Sequence, residues 1–375
     1  MLEVRPLRSA RELRAFTSFP WQVYRGDPLW VPPILAERRR ALDPRRGAFF
    51  QRGGQAQCFA AWREGRLIGT LCAAEDRETN QRRGLRDCVI GFFECLPDPE
   101  AARGLFAAAA DWARLRGLET LYGPFNLDYE DGYGVLVEGR EKPPALLCGH
   151  SPNYYPHLFE SNGFLPARGD NLAFELDLSP SPALDRLGRA AEIARKQGKV
   201  RIRGADFKQW EAEAGIVQRL INRALRHLPD YLPWTLEMVK DLLSPFRQVA
   251  DPELVLFAEV EGEAVGFLPG IPDLNEVFGY ANGLRRPWDY LTFLYHLRQP
   301  RRRLTVKSVL VLPEHWGSAV SILLMDTLLQ RARQKGYTRM DLSLTSDDNP
   351  NTPQLAEKLG AAIYKRYRVY RKPLG

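Results

Sequence analysis

Apolar and polar positions along this chain follow two rhythms, alternation in short runs and a helical period in longer ones, and the succession of rhythms occurs twice. Ala61–Leu71 (AWREGRLIGTL) and Ala258–Leu268 (AEVEGEAVGFL) share the frame A-x-x-E-G-x-x-[IV]-G-x-L. Each copy reads as a strand, a tight Glu-Gly turn and a second strand, which is a β-hairpin. Further on, Ala113–Leu118 (ARLRGL) and Ala332–Tyr337 (ARQKGY) end long amphipathic helices with basic residues in the last turn and a glycine cap. Leu158–Gly163 (LFESNG) and Leu355–Gly360 (LAEKLG) are short helices stopped by glycine, and they lead into strands expected over Leu172–Leu178 and Tyr364–Tyr370. The N-terminus, MLEVRPLRSARELRAF, reads as a strand followed by a helix. Three matched pairs in one order predict an internal duplication. Its turn-rich break falls at Ser179-Pro-Ser-Pro182, with domains expected over 1–180 and 181–375.

Length and composition agree with two domains. The chain has 375 residues, too many for one ordinary compact domain, and 45% of them are hydrophobic, enough for two cores. No apolar run approaches the roughly 18 residues of a membrane span. The N-terminus carries neither a signal peptide nor a lipidation motif, so a cytoplasmic protein is expected. Five cysteines, an odd number without CxxC spacing, read as small buried hydrophobes in a reducing compartment. The five histidines lack paired helical spacing, and no metal site is expected. The net charge is +7, and seven basic residues stand between Arg285 and Lys307 against one acid, Asp289. Such a stretch suits a phosphorylated ligand, nucleic acid or an anionic membrane surface, or is a solvated connection beside a strand.

The order strand, helix, hairpin, strand with a small-residue loop, helix, strand, Gly-stopped helix, strand resembles the acyl-CoA N-acyltransferase (GNAT) superfamily, once per half. The resemblance implies an α/β fold of two tandem GNAT-like domains, each a mixed, mostly antiparallel central sheet flanked by helices. In that superfamily the loop after the central strand has the form [QR]-x-x-G-x-[GA], and its amides with the following helix N-terminus hold the pyrophosphate of coenzyme A. The second half matches in part: central strand Val306–Leu312, then Pro313-Glu-His-Trp-Gly-Ser-Ala-Val-Ser321. Trp316, Ala319 and Ser321 replace the usual residues, while Gly317, Ser318 and Ala319 stay small. The resemblance therefore implies acetyl-CoA or another acyl-CoA held by Leu310, Val311, Leu312, Gly317, Ser318, Ala319 and Val320. Asn349 stands where an asparagine contacts the pantetheine arm. The first half has Leu96-Pro-Asp-Pro-Glu-Ala-Ala102 at this place, and Asp98 and Glu100 there repel a pyrophosphate.

The tyrosine that serves the superfamily as general acid is Phe159 in the first half and Ala356 in the second, leaving Tyr364, Tyr367 or a group from the other half as substitutes. Two carboxylates are candidate bases. Glu94 is the one acid in the apolar segment Gly91-Phe-Phe-Glu-Cys95, and Asp348 follows the strand Met340–Leu344. Each also has a bland role, Glu94 as an arginine's partner or strand-end acid, Asp348 as a helix cap. The insertions carry aromatic and polar groups that suit a small-molecule pocket: Asn126, Asp128, Tyr133 and Tyr154 in the first half, Tyr280 and Asn282 in the second. The same residues also suit turn-rich surface loops. Three functions fit: an acyl-CoA-dependent acyltransferase acting on a small-molecule amine, a non-catalytic binding protein on the same scaffold, or a Fem-like transferase using aminoacyl-tRNA.

Overall fold

A computed structural model describes residues 1–127, 133–227, 231, 233–348 and 351–375. The first half runs β1 (Leu2–Pro6), α1 (Ala10–Ser18), α2 (Pro20–Val23), α3 (Leu35–Ala41), α4 (Ala48–Gln51), β2 (Gln55–Arg63), β3 (Arg66–Glu75), α5 (Arg77–Arg83), β4 (Asp87–Cys95), α6 (Pro99–Arg114), β5 (Thr120–Phe125), β6 (Val135–Glu138), α7 (Tyr155–Glu160), β7 (Leu165–Pro166) and β8 (Asn171–Asp177). The second runs α8 (Pro182–Lys196), β9 (Arg201–Gly204), α9 (Trp210–Ala224), α10 (Leu236–Leu243), β10 (Val255–Val260), β11 (Glu263–Pro272), α11 (Asn275–Phe278), α12 (Pro287–Leu297), β12 (Arg303–Val306), β13 (Leu310–Val311), α13 (Ala319–Gln334), β14 (Arg339–Ser346), α14 (Asn351–Lys358), β15 (Ala362–Arg368) and β16 (Tyr370–Pro373).

The repeated frame folds as its residues dictate. Glu64 and Gly65 take φ of 51° and 76°, and Glu261 and Gly262 take 52° and 86°. Two successive positive φ values match the twist of antiparallel strands, so both Glu-Gly pairs turn the hairpins β2–β3 and β10–β11. The frame's second glycine answers to packing. A Cβ on Gly69 would lie 2.8 Å from Leu105 of α6, and one on Gly266 would lie 3.0 Å from Val320 and Leu324 of α13. Each helix therefore rests directly on its hairpin.

The halves do not close separately. One sheet has the order β1-β2-β3-β4-β5-β16-β7, the other β6-β15-β8-β14-β12-β11-β10-β9, with β13 also on β11. The C-terminal strand β16 thus lies between β5 and β7 of the first half, while β8 lies between β14 and β15 of the second. The strand expected over Leu172–Leu178 to finish the first half enters the second-half sheet as β8, while the one expected over Tyr364–Tyr370 stays in its own half as β15 and the following strand β16 completes the first. The cores follow them. Leu172, Phe174, Leu176 and Leu178 belong to the second-half core, and Tyr370 and Leu374 to the first, where Tyr370 stacks on Phe159 at 5.0 Å. The division at residue 180 follows the chain and not the sheets. Among the described residues no helix is long and apolar enough to cross a membrane.

Because each sheet contains a strand of the other half, cutting the backbone at an engineered protease site between Ser179 and Pro182 is expected to leave fragments that co-elute in native buffer and part only in denaturant. Separation by native gel filtration would contradict the exchange.

Candidate functional site

Both halves carry the same irregularity in the strand that precedes the helix. On β3, Thr70 and Cys72 face Glu94 and Gly91, so three steps on β4 oppose two. On β11, Phe267 and Gly270 face Leu310 and Val306, so four steps oppose three. One extra residue is a β-bulge, which bends the strand and frees backbone groups from the ladder. Phe92 takes it up in the first half with φ of 46°, and residues 307–309 take it up in the second.

The first half closes what its bulge opens. The Tyr155 hydroxyl accepts from the Cys95 amide at 2.9 Å and donates to Glu94 Oε2 at 2.8 Å, and the Tyr154 hydroxyl donates to the Cys95 carbonyl at 2.7 Å. Asp98 caps α6 by accepting from the Ala101 amide at 3.0 Å, and Arg63 binds Asp98 and Glu100 at 2.9 and 2.7 Å. The helix start is thus lined with acids already matched by an arginine. Burial raises the Glu94 carboxyl above its usual pKa, with Arg38, Tyr155 and Tyr24 pulling the other way. Tyr24 stacks on Trp30 at 4.8 Å, Trp30 meets Trp21 edge-on at 5.3 Å, and the Trp21 indole donates to Asn282 at 2.8 Å. An aromatic bridge therefore connects Glu94 and Tyr154 with the second half's insertion.

The second half stays open. β12 and β14 pair in parallel only as far as Val306 and Leu342; beyond that β13 leans onto β11 and β14 onto β8. The ladder is thus open between residues 307–311 and 343–346, with Ser308 and Val309 exposed at the edge of this opening. Polar groups gather at its apex. Lys307 Nζ donates to Asp341 Oδ1 at 3.1 Å and to Ser343 Oγ at 2.8 Å, Ser343 donates to Asp341 Oδ1 at 2.5 Å, and Tyr364 donates to Asp341 Oδ2 at 2.7 Å. Cys148, from the first half's insertion, brings its thiol to 3.5 Å from Lys307 and 3.4 Å from Ser343. Burial opposes the Lys307 charge, but Asp341, Cys148 and Asp273 together outweigh it and leave the ammonium pKa above its ordinary value. Burial also raises the Cys148 thiol, against the pull of Lys307. The apex thus holds a fixed positive charge beside a protonated thiol.

Below the gap, the loop before α13 is exposed and small. No atom lies within 4 Å of where a Cβ on Gly317 would sit. Ser318 caps α13, accepting from the Val320 amide at 3.3 Å and donating to the His315 carbonyl at 2.6 Å. Among the described residues, the Gly317 and Ala319 amides have no hydrogen-bond acceptor. These amides and the helix N-terminus fit an anionic phosphate. Leu310 and Val311 form β13 and are buried where it pairs with β11, the Leu312 amide donates to the Val265 carbonyl at 3.0 Å, and the Val320 side chain lies under Gly266. Trp316 is exposed, with its indole donating to the Val311 carbonyl at 2.9 Å.

The remaining expected site residues scatter. Asp348 accepts from the Gly169 amide at 2.7 Å, just past the end of β14. The Asn126 carbonyl presses on Gly91, and the Tyr133 ring is 6.3 Å from Tyr367. Tyr280 lies on the surface, stacked on His296 at 3.9 Å. Asp128 and Asn349 fall outside the described residues. Lys307, Asp341, Ser343 and Cys148 were not singled out in the sequence. Asp341 alternates with other polar residues along β14 and so lacked the signal that marked Glu94, while Lys307 was counted with the surface charges and Cys148 with the core.

Comparison with known proteins converges on one family. A family model described as Acetyltransferase (GNAT) family matches residues 217–361. A bacterial ceramide synthase of Caulobacter vibrioides is 31% identical over 386 aligned residues, which span 100% of this chain and 98% of that protein. Protein YghO of Escherichia coli is 26% identical over 382 residues, 99% of this chain and 95% of its own. In fold, the chain is similar to a tandem GNAT protein from the clavulanic acid biosynthesis pathway, with a TM-score of 0.59 and 15% identity over 100% of this chain and 99% of that one.

The raised pKa of Glu94 has a consequence for stability. A carboxyl that holds its proton more tightly when folded stabilises the protein below its unfolded pKa, near 4.5, and loses that contribution as pH rises through the folded value. Chemical denaturation between pH 4 and 8 is expected to show wild-type stability falling across that window and a flatter profile for Glu94→Gln. Identical profiles would place the Glu94 carboxyl in an unperturbed environment.

Proposed function

Since the chain belongs to the GNAT acyltransferase superfamily as a tandem-domain protein, we propose that it is an acyl-CoA-dependent N-acyltransferase that joins an acyl group to the amine of a long-chain base. Residues 1–180 and 181–375 are its duplicated units, and the cytoplasm, where free thiols such as its five cysteines persist, is its compartment. The observation that carries the reading is the contrast between the two bulges. Tyrosines and an acid-lined helix start fill the first, whereas the second leaves a gap beside free amides and a helix N-terminus.

Gly317, Ser318 and Ala319 would hold the pyrophosphate, and Ser308 and Val309 would flank the pantetheine arm at the strand edge. Acyl-CoA supplies the acyl group as an activated thioester. An apolar cavity lined by Phe207, Trp210, Val217, Phe257, Phe267 and Pro269 lies under α9 and α10. Pro269 is on the part of β11 that faces the bulge, so this pocket, about 50 Å³, lies beside the gap and would take a few methylenes of an acyl chain. The relative named bacterial ceramide synthase supports a long-chain base as the amine.

In the reaction the amine nitrogen bonds to the acyl carbon, the carbon–sulfur bond breaks, and the amine's proton leaves for a base. We assign that proton to Asp348, which follows the β14 wall of the gap, rather than to the enclosed Glu94. Lys307 acts on the leaving side. Its raised pKa keeps it protonated, so it stabilises the developing thiolate mainly by its charge. Asp341, Ser343 and Tyr364 hold the ammonium in place.

Calorimetric titration with a long-chain acyl-CoA is expected to give micromolar binding, weakened roughly tenfold or more in Ser318→Glu, with the melting temperature lowered by only about a few degrees for the lost α13 cap. Equal affinity in the variant would move the site elsewhere, and no binding by the wild type would remove the acyl-CoA reading. Asp348→Asn keeps an acceptor for the Gly169 amide and is expected to lower kcat for N-acylation of a sphingoid base by roughly 100-fold with little change in KM, followed by mass spectrometry of the product. An unchanged kcat would return Asp348 to a structural role.

A further inference from the structure

The basic stretch from Arg285 to Lys307 divides in the fold. Arg303 turns inward to a buried pair with Asp273, and Lys307 turns inward to Asp341. Arg285, Arg286, Arg298 and Arg302 stay exposed, and Arg286, Arg298 and Arg302 enter no ion pair among the described residues. Between them lies α12, whose amphipathicity is inverted. At about 100° per residue, Tyr290, Leu294, Arg298, Leu291, Tyr295 and Trp288 fall in sequence around roughly 160° of the helix. All six are exposed, Leu291 to 70% and Tyr295 to 62%. The opposite arc carries Asp289, Thr292, Phe293, His296 and Leu297 and faces the protein, where Asp289 caps the helix by accepting from the Arg286 amide at 2.9 Å. The outward side of this helix is thus more apolar than its inward side, and among the described residues none covers it.

We propose that α12 and its flanking arginines form a docking surface for an anionic lipid bilayer. Three features select a bilayer over other occupants. Tryptophan and tyrosine have an apolar body with a polar edge and settle at the boundary between headgroups and acyl chains, while Leu291 and Leu294 reach deeper. The arginines at both ends of the helix match the negative potential of anionic headgroups. The same arginines disfavour a second copy, because a two-fold contact through this face would bring like charges together. The surface attaches without spanning, since no described helix is long and apolar enough to cross.

The test is co-sedimentation of the full chain with vesicles of phosphatidylglycerol and phosphatidylcholine in equal parts, and with phosphatidylcholine alone. Wild type is expected to sediment with the mixed vesicles, to bind phosphatidylcholine far less, and to release as salt is raised. The double variant Leu291→Glu, Leu294→Glu, at positions open to solvent, is expected to bind roughly tenfold less or weaker still with an unchanged far-ultraviolet circular dichroism spectrum. The conservative Trp288→Phe gives a second readout: brominated lipid should quench the emission that the wild type has and this variant lacks. Wild type that stays in the supernatant with the mixed vesicles would overturn the proposal. So would a concentration-dependent dimer in analytical ultracentrifugation that the double variant abolishes while vesicle binding persists.

Discussion

The structure depends on the reciprocal exchange of the strands β8 and β16. A sheet lacking an inner strand presents two unpaired edges and an uncovered apolar core. In the first half, β5 and β7 are joined only through β16, and in the second, β14 and β15 are joined only through β8. Neither sheet is complete without a segment from the other half, so the two cores form together. Tyr370, from the last strand, is fully buried among first-half aromatics, and Phe174 occupies the corresponding depth in the second. The exchange also draws the first half's insertion across the boundary, which brings Cys148 to Ser343 and Tyr367 to the Gly149 carbonyl at 2.9 Å.

On this paired frame the halves have diverged at one shared irregularity. The bulge frees backbone groups in both, and what surrounds those groups decides the chemistry. Around Cys95 the freed amide and carbonyl are satisfied by tyrosine hydroxyls, and the nearby acids by Arg63. Around Lys307 the strands part and the loop amides remain available. The Lys307–Asp341 pair makes the open arrangement stable. A charge taken out of water is costly unless fully matched, and Asp341 receives Lys307, Ser343 and Tyr364 on its two oxygens. The same matching keeps a positive charge at the apex.

Much of the architecture was legible in the residues because it rests on local rules. The Glu-Gly pairs at 64–65 and 261–262 require positive φ, the glycines at 69 and 266 admit a helix, and Asp98 and Ser318 cap the helices that follow. The small loop at 317–319 was legible for the same reason, since close approach to the backbone needs small side chains. The polar apex was not. Lys307 and Arg303 sit in a run of arginines that reads as surface charge, and only the sheet shows that these two point inward while their neighbours point out. Asp341 sits in a strand of alternating polar residues, where one more acid looks like the solvated face.

The sequence by itself determined the duplication, the hairpins, the capped helices and the family pattern, because turns, caps and helix-on-hairpin contacts involve residues close along the chain. Tertiary structure decided which strand completes which sheet, which bulge stays open and which charges meet. Strand alternation is identical whether Leu172–Leu178 pairs with its own half or the other, so local pattern cannot choose between them. The choice is made by contacts between residues as far apart as Tyr122 and Arg371, where the C-terminal strand joins the sheet that begins with the N-terminal one.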